Sequence, residues 1–296
     1  MGFWQLNKAP PPPHGPVNII DYGADPTGVS DSRPALASAL ATGRPVYAPE
    51  GIYLLNSAPP KLASNTKIFG DGDDLTVFRC AAVEGFGCYN GGNDDIVNVT
   101  LSDFTVEQTT NWGGNNFTAV DFTNVSYSRI ERVKTKYFLY GVFMRRTATA
   151  RQCYFNFVNR VKTFGCSTGY YLQDAGNTPN KHSFIQCMSE DNGQRSGGLG
   201  LDLSGVGHTV FDFYGGLPGG LAAMRMRLSC QHLNAQLIYG ESSTLTQVIL
   251  DDSENRENFV GGVHGDGLST LVNVTVPSTN KTVYITAGAA SNLVPA

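Results

Sequence analysis

Apolar and polar residues alternate along the middle of this chain in short runs that return at nearly constant intervals. Six segments align without gaps: AVDFTN from Ala119, GVFMRR from Gly141, GYYLQD from Gly169, GLDLSG from Gly200, AMRMRL from Ala223 and QVILDD from Gln247, with start-to-start spacings of 22, 28, 31, 23 and 24 residues. In every segment the second and fourth positions are apolar, as in Val142/Met144, Tyr170/Leu172 and Leu201/Leu203. The third and fifth positions are mixed and include Asp121, Asp202, Arg225 and Asp251. A period of two marks a strand with one face buried. A second set of runs, RQCYFN, SFIQCM, TVFDFY and NAQLIY, follows in most repeats. Read with the same period, it assigns Cys153/Phe155, Ile185/Cys187, Phe211/Phe213 and Leu237/Tyr239 as inward pairs.

Two short strands in a repeat of about two dozen residues describe one winding of a coil, which can bury its apolar side chains only by stacking on the next winding. The pattern therefore predicts an all-β chain folded as a right-handed parallel β-helix. A helical bundle is excluded, because the apolar positions alternate and Gly197-Gly198 and Gly215-Gly216 interrupt any longer run. A propeller is disfavoured, since one blade needs four strands in about 40 residues.

The segment from Val17 to Leu55 breaks the repeat. It carries Asp21-Tyr22-Gly23-Ala24, then Asp25, Gly28 and Asp31, then an Ala-rich helix, and finally Val46-Tyr47-Ala48-Pro49 and Gly51-Ile52-Tyr53. Asp31 or Ser32 suits the start of that helix, Pro34 its first turn and Gly43 its end. This stretch resembles the amino-terminal segment of the pectate-lyase-like superfamily of β-helices, especially bacteriophage tailspikes. Thr66 to Arg79 resembles the first full coil that follows it there. The resemblance implies an amino-terminal cap over residues 17–65, a shaft over 66–276 and a carboxy-terminal cap or trimer contact over 277–296. It also implies a homotrimer located in the virion that recognises and hydrolyses bacterial surface polysaccharide, either capsule or lipopolysaccharide. A non-catalytic receptor-binding or structural spike with the same shaft is the alternative, and a secreted polysaccharide lyase or hydrolase a weaker one. The Gly-His-Gly and Arg-Ile-Lys motifs of polygalacturonases are missing, which disfavours a pectinase.

Ahead of the cap, residues 1–16 place Phe3, Trp4 and Leu6 before four consecutive prolines. Such a run is extended and stiff. It is expected to act as a tether to a phage tail or adaptor protein. No charged-then-apolar leader and no long apolar run occurs, so neither a signal peptide nor membrane insertion is expected.

A formal net charge of −4 without a basic block argues against nucleic acid as a partner. Six cysteines without CxxC spacing are expected to be buried small hydrophobes. The histidines show no ligand spacing, so no metal and no cofactor is assigned.

Glycoside hydrolysis needs two carboxyl groups flanking one bond. Asp202 is outward on its strand, Asp174 ends the preceding one, and Glu190-Asp191 lie between them. This is the densest acidic group on consecutive coils of the shaft, so these four are the candidate catalytic residues. Tyr171, Arg225 and Trp112 are the candidate sugar contacts, since sugars present apolar ring faces and hydroxyl edges.

Overall fold

The computed structural model describes residues 15–81, 83–88, 95–109, 117–148, 151–173, 179–191, 198–216, 222–227, 230–241, 246–250, 258–265, 270–274, 283–287 and 293–294. These residues form an all-β parallel solenoid built from a 16-stranded, a 9-stranded and a two-stranded sheet with every paired strand parallel. In the shorter sheet Val120 pairs with Val142, which is followed in register by Tyr170, Leu201, Met224 and Val248. This is the column the ungapped alignment predicts. It continues to Phe86 at one end and to Val272 and Leu293 at the other. Val142, Tyr170, Leu201 and Met224 are fully buried, each burial contributing about 2 kcal/mol before the entropy of ordering is set against it.

Small residues open these strands because adjacent windings approach closely. A Cβ on Gly141 would lie 2.6 Å from the carbonyl oxygen of Gly169. Tyr170 fits inside because its hydroxyl donates to the carbonyls of Val161 and Met188 at 2.6 and 3.0 Å.

The longer sheet bends sharply within each winding. At the bend stands one residue with left-handed backbone, in turn Asp103, Arg132, Arg160, Gln186, Asp212 and Leu237, with φ from 50° to 62°. Such a residue turns the chain and resets the alternation of side chains. The buried positions on either side are consequently three apart, as in Val158/Val161, Phe184/Cys187, Val210/Phe213 and Ala235/Ile238. This corrects the inward pairs expected for the second ladder. Phe155, Phe211 and Leu237 are 46%, 41% and 47% exposed and Ile185 and Tyr239 are half-buried, while Cys153, Cys187 and Phe213 do point inward.

A second left-handed column comprises Asn98, Tyr127, Phe155, Lys181, Gly207 and His232. The residues following four of its members form a buried polar ladder. The amide of Val99 donates to Ser128 Oγ, that of Ser128 to Asn156 Oδ1, that of Asn156 to His182 Nδ1, and that of His182 to His208 Nδ1, at 2.8 to 3.2 Å. Backbone amides at this corner are thus satisfied by side chains of the next winding.

Helix α1, Arg33–Leu40, buries Ala35, Leu36 and Ala39 and packs on the 3-10 turn Ile19–Tyr22. Ser32 is its N-cap residue by position, yet its hydroxyl engages the backbone of Asp25; Asp31 accepts from the Arg33 amide at 3.1 Å instead.

Candidate functional site

The shorter sheet presents a mixed column outward: Asp121, Phe143, Tyr171, Asp202 and Arg225 in register. Tyr171 packs against Tyr140 and Phe143 with ring centroids 4.8 and 5.5 Å away, and the Arg227 guanidinium lies 5.0 Å from its centroid. Asp202 faces outward as expected, but it is buried. Its two oxygens accept from Arg227 Nε at 2.7 Å and Nη2 at 2.6 Å, and the contact holds the guanidinium even more firmly protonated than usual. A carboxylate whose two oxygens are both taken by one arginine is a structural anchor. Arg225 follows it in the column and is half-buried.

Glu190 and Asp191 do not join Asp202. Glu190 ends the strand Met188–Glu190 on the longer sheet, in register with Phe164 and Gly216. Asp191 follows it at a left-handed corner shared with Tyr137 and Gly165. The acidic group that is dense in sequence is therefore divided between two faces of the solenoid. Asp174 and Trp112 lie outside the described residues.

Asp121 is a further outward carboxyl of this column. Burial pushes Asp121 up, against hydrogen bonds from Thr123 and the charge of Arg145. It occupies the place in its segment that Asp202 occupies in its own, three register steps away, or about 14 Å at the spacing of adjacent strands. That exceeds the span over which two carboxyls share a glycosidic bond, roughly 5 to 9.5 Å.

The open polar groove lies instead on the longer sheet. The left-handed bends set Asp103, Arg132, Arg160 and Gln186 in line, with Lys162 and Met188 just beyond, along an open cavity of about 480 Å³ lined also by Gly72 and Asp73. Arg132 grips Asp103 at 2.5 and 2.9 Å, and Lys162 contacts Asp73 at 3.0 Å. Beside them Lys134 pairs with Asp74 at 2.8 Å. Arg160 donates to Gln186 Oε1 at 2.9 Å and is exposed. Burial raises the Asp103 carboxyl, but hydrogen bonds from Arg132 and Ser102 outweigh it and hold the group below the usual carboxylate range. Lys134 does the same to Asp74, and Asp73 raises Lys162. Carboxylates kept ionised beside exposed cations suit hydrogen bonding to a hydroxyl-rich ligand, not the delivery of a proton. The signal for this groove was present in the sequence: Arg-Val-Lys-Thr occurs at Arg132–Thr135 and again at Arg160–Thr163, 28 residues on.

Among the described residues no group of three or more His, Cys, Asp or Glu side chains converges as a metal centre requires, and no helix is long and apolar enough to cross a membrane.

Stacked parallel windings with a polar groove on their outer face define a β-solenoid of the pectate-lyase kind. The chain belongs to the rhamnogalacturonase A/epimerase, pectate lyase-like family, whose model matches residues 16–205. It is 34% identical over 95 residues to the preneck appendage protein of Bacillus phage PZA, a match that spans 31% of this chain and 11% of that relative's length. Its fold is similar to that of the pre-mature gene product 12 of bacteriophage phi29, with a TM-score of 0.60 at 15% identity over 92% of this chain and 45% of that one. It is likewise similar to PfbA, a surface adhesin of Streptococcus pneumoniae, with a TM-score of 0.62 at 11% identity over 93% of this chain and 75% of the adhesin. The two structural matches speak to the fold alone.

Proposed function

We propose that this chain is part of a phage virion appendage and that its solenoid recognises bacterial surface polysaccharide during host adsorption. The phage appendage relative supports the location. The observation that carries the recognition is the groove of Asp73, Asp103, Arg132, Arg160 and Lys162, with carboxyl groups and cations side by side. Binding without cleavage is the reading the groove favours, because the carboxyls there with displaced titration are held below the ordinary range. Hydrolysis is the second reading, favoured by Asp121, whose burial keeps its proton longer than an ordinary aspartate does. The resemblance adds a homotrimer, attachment through residues 1–16 and closure of the shaft by helix α1.

The test is retention of the protein on purified host capsular polysaccharide and lipopolysaccharide, alongside an assay for new reducing ends. Arg160→Ala with Lys162→Ala is expected to weaken retention roughly tenfold or more without unfolding the protein. Unchanged retention by that variant would refute the groove as the recognition site. New reducing ends that vanish in Asp121→Asn would establish hydrolysis.

A further inference from the structure

On the other flank of the same strands, the second left-handed column places two large rings in solvent. Tyr127 is 56% and Phe155 46% exposed; their rings stack at 5.4 Å with an interplanar angle of 14°. The ammonium of Lys181, next in the column, lies 5.3 Å from the Phe155 centroid. A cavity of about 420 Å³ opens beside the rings, bordered also by Arg129 and Phe157.

Nothing in the fold demands aromatic residues at this corner. Asn98, Lys181, Gly207 and His232 occupy equivalent places, and Asn and Gly tolerate positive φ better than Tyr or Phe do. The rings add nothing to the buried core, and they leave apolar surface in water. Two large rings kept in solvent where other windings place Asn, Lys, Gly or His point to a contact made on the outside.

We infer that Tyr127 and Phe155 form a platform for the face of a neutral pyranose ring, a contact separate from the polar groove and resting on the glycan-recognition reading. The apolar C–H face of a sugar matches the two rings, and Arg129, Lys181 and the Tyr127 hydroxyl can bond its hydroxyl edge. A protein partner fits less well. Polar Asn98 and Lys181 bound the patch along the column, confining its apolar part to a few rings, whereas a stable protein interface covers about 800 Å² on each partner.

The test uses chitotetraose and laminarihexaose as neutral probes, read by saturation-transfer NMR on the full chain. The wild type is expected to transfer saturation to sugar ring protons of at least one probe. Tyr127→Asn with Phe155→Asn, which places at this corner the residue already found at Asn98, is expected to bind about tenfold more weakly at unchanged thermal stability. Equal binding by that variant, no binding by the wild type, or a loss confined to self-association in sedimentation would each overturn the platform. Polysaccharide retention by the Arg160→Ala/Lys162→Ala protein, measured in parallel, reports on the groove independently. Loss there with no effect at the corner leaves the groove reading standing and removes the platform alone.

Discussion

Asp202 and Arg227 show how position in a folded chain overrides the chemistry a residue offers on paper. The carboxylate side chain is only 3% exposed, and both its oxygens accept from the Arg227 guanidinium. Removing one member of such a pair leaves an uncompensated buried charge, which costs more than the pair contributes when intact. Arg227→Ala is accordingly expected to destabilise the fold by about 3 kcal/mol, read as a fall in the urea midpoint at constant slope. A midpoint within error of the wild type would show that Asp202 finds another partner. Asp121 holds the same place in its strand, and there burial pushes the carboxyl up against hydrogen bonds from Thr123 and the charge of Arg145.

The corner ladder Ser128–Asn156–His182–His208 makes one element of the shaft sensitive to acid. Each histidine accepts at Nδ1, so its proton sits on Nε2, where His208 donates to the Ser204 carbonyl at 2.9 Å. Burial, reinforced at His182 by the neighbouring His208, holds His182 well below its ordinary value, and burial lowers His208 to about 4. The unfolded chain therefore binds protons that the folded chain refuses. Stability from these groups is complete above about 6.5 and is lost as pH falls from there toward about 4, by on the order of 3 kcal/mol for His208. Asparagine can accept the same amide, as Asn156 does, so His182→Asn with His208→Asn is expected to flatten the pH dependence of the melting temperature in that window. An undiminished slope would place the acid sensitivity elsewhere.

At the scale of the whole molecule the windings share one dry interior, and all six cysteines lie inside it. Burial pushes the Cys166 thiol up to about 11 and those of Cys80, Cys153 and Cys187 to about 12. Thiolate is the reactive form, so the native protein is expected to resist iodoacetamide at pH 8, with labelling of all six appearing together at the unfolding transition. Early labelling of Cys80 or Cys88 alone would show that the amino-terminal windings open before the rest.

The repeat of apolar positions determined the parallel solenoid, down to the register of Val120, Val142, Tyr170, Leu201, Met224 and Val248. Period-two alternation is a property of neighbouring residues, so it survives in a linear reading. The second ladder departs from simple alternation at Phe155, Ile185, Phe211, Leu237 and Tyr239, because a left-handed backbone residue looks like any other in sequence and still reverses which side chains face inward. The Arg-Val-Lys-Thr repeat held the groove in plain view, but its meaning depends on Asp73 and Asp103 arriving from earlier windings. Glu190 and Asp202 are neighbours in sequence terms and sit on different sheets. Which charges meet is settled by the stacking of windings, through contacts between residues tens of positions apart that no local pattern records.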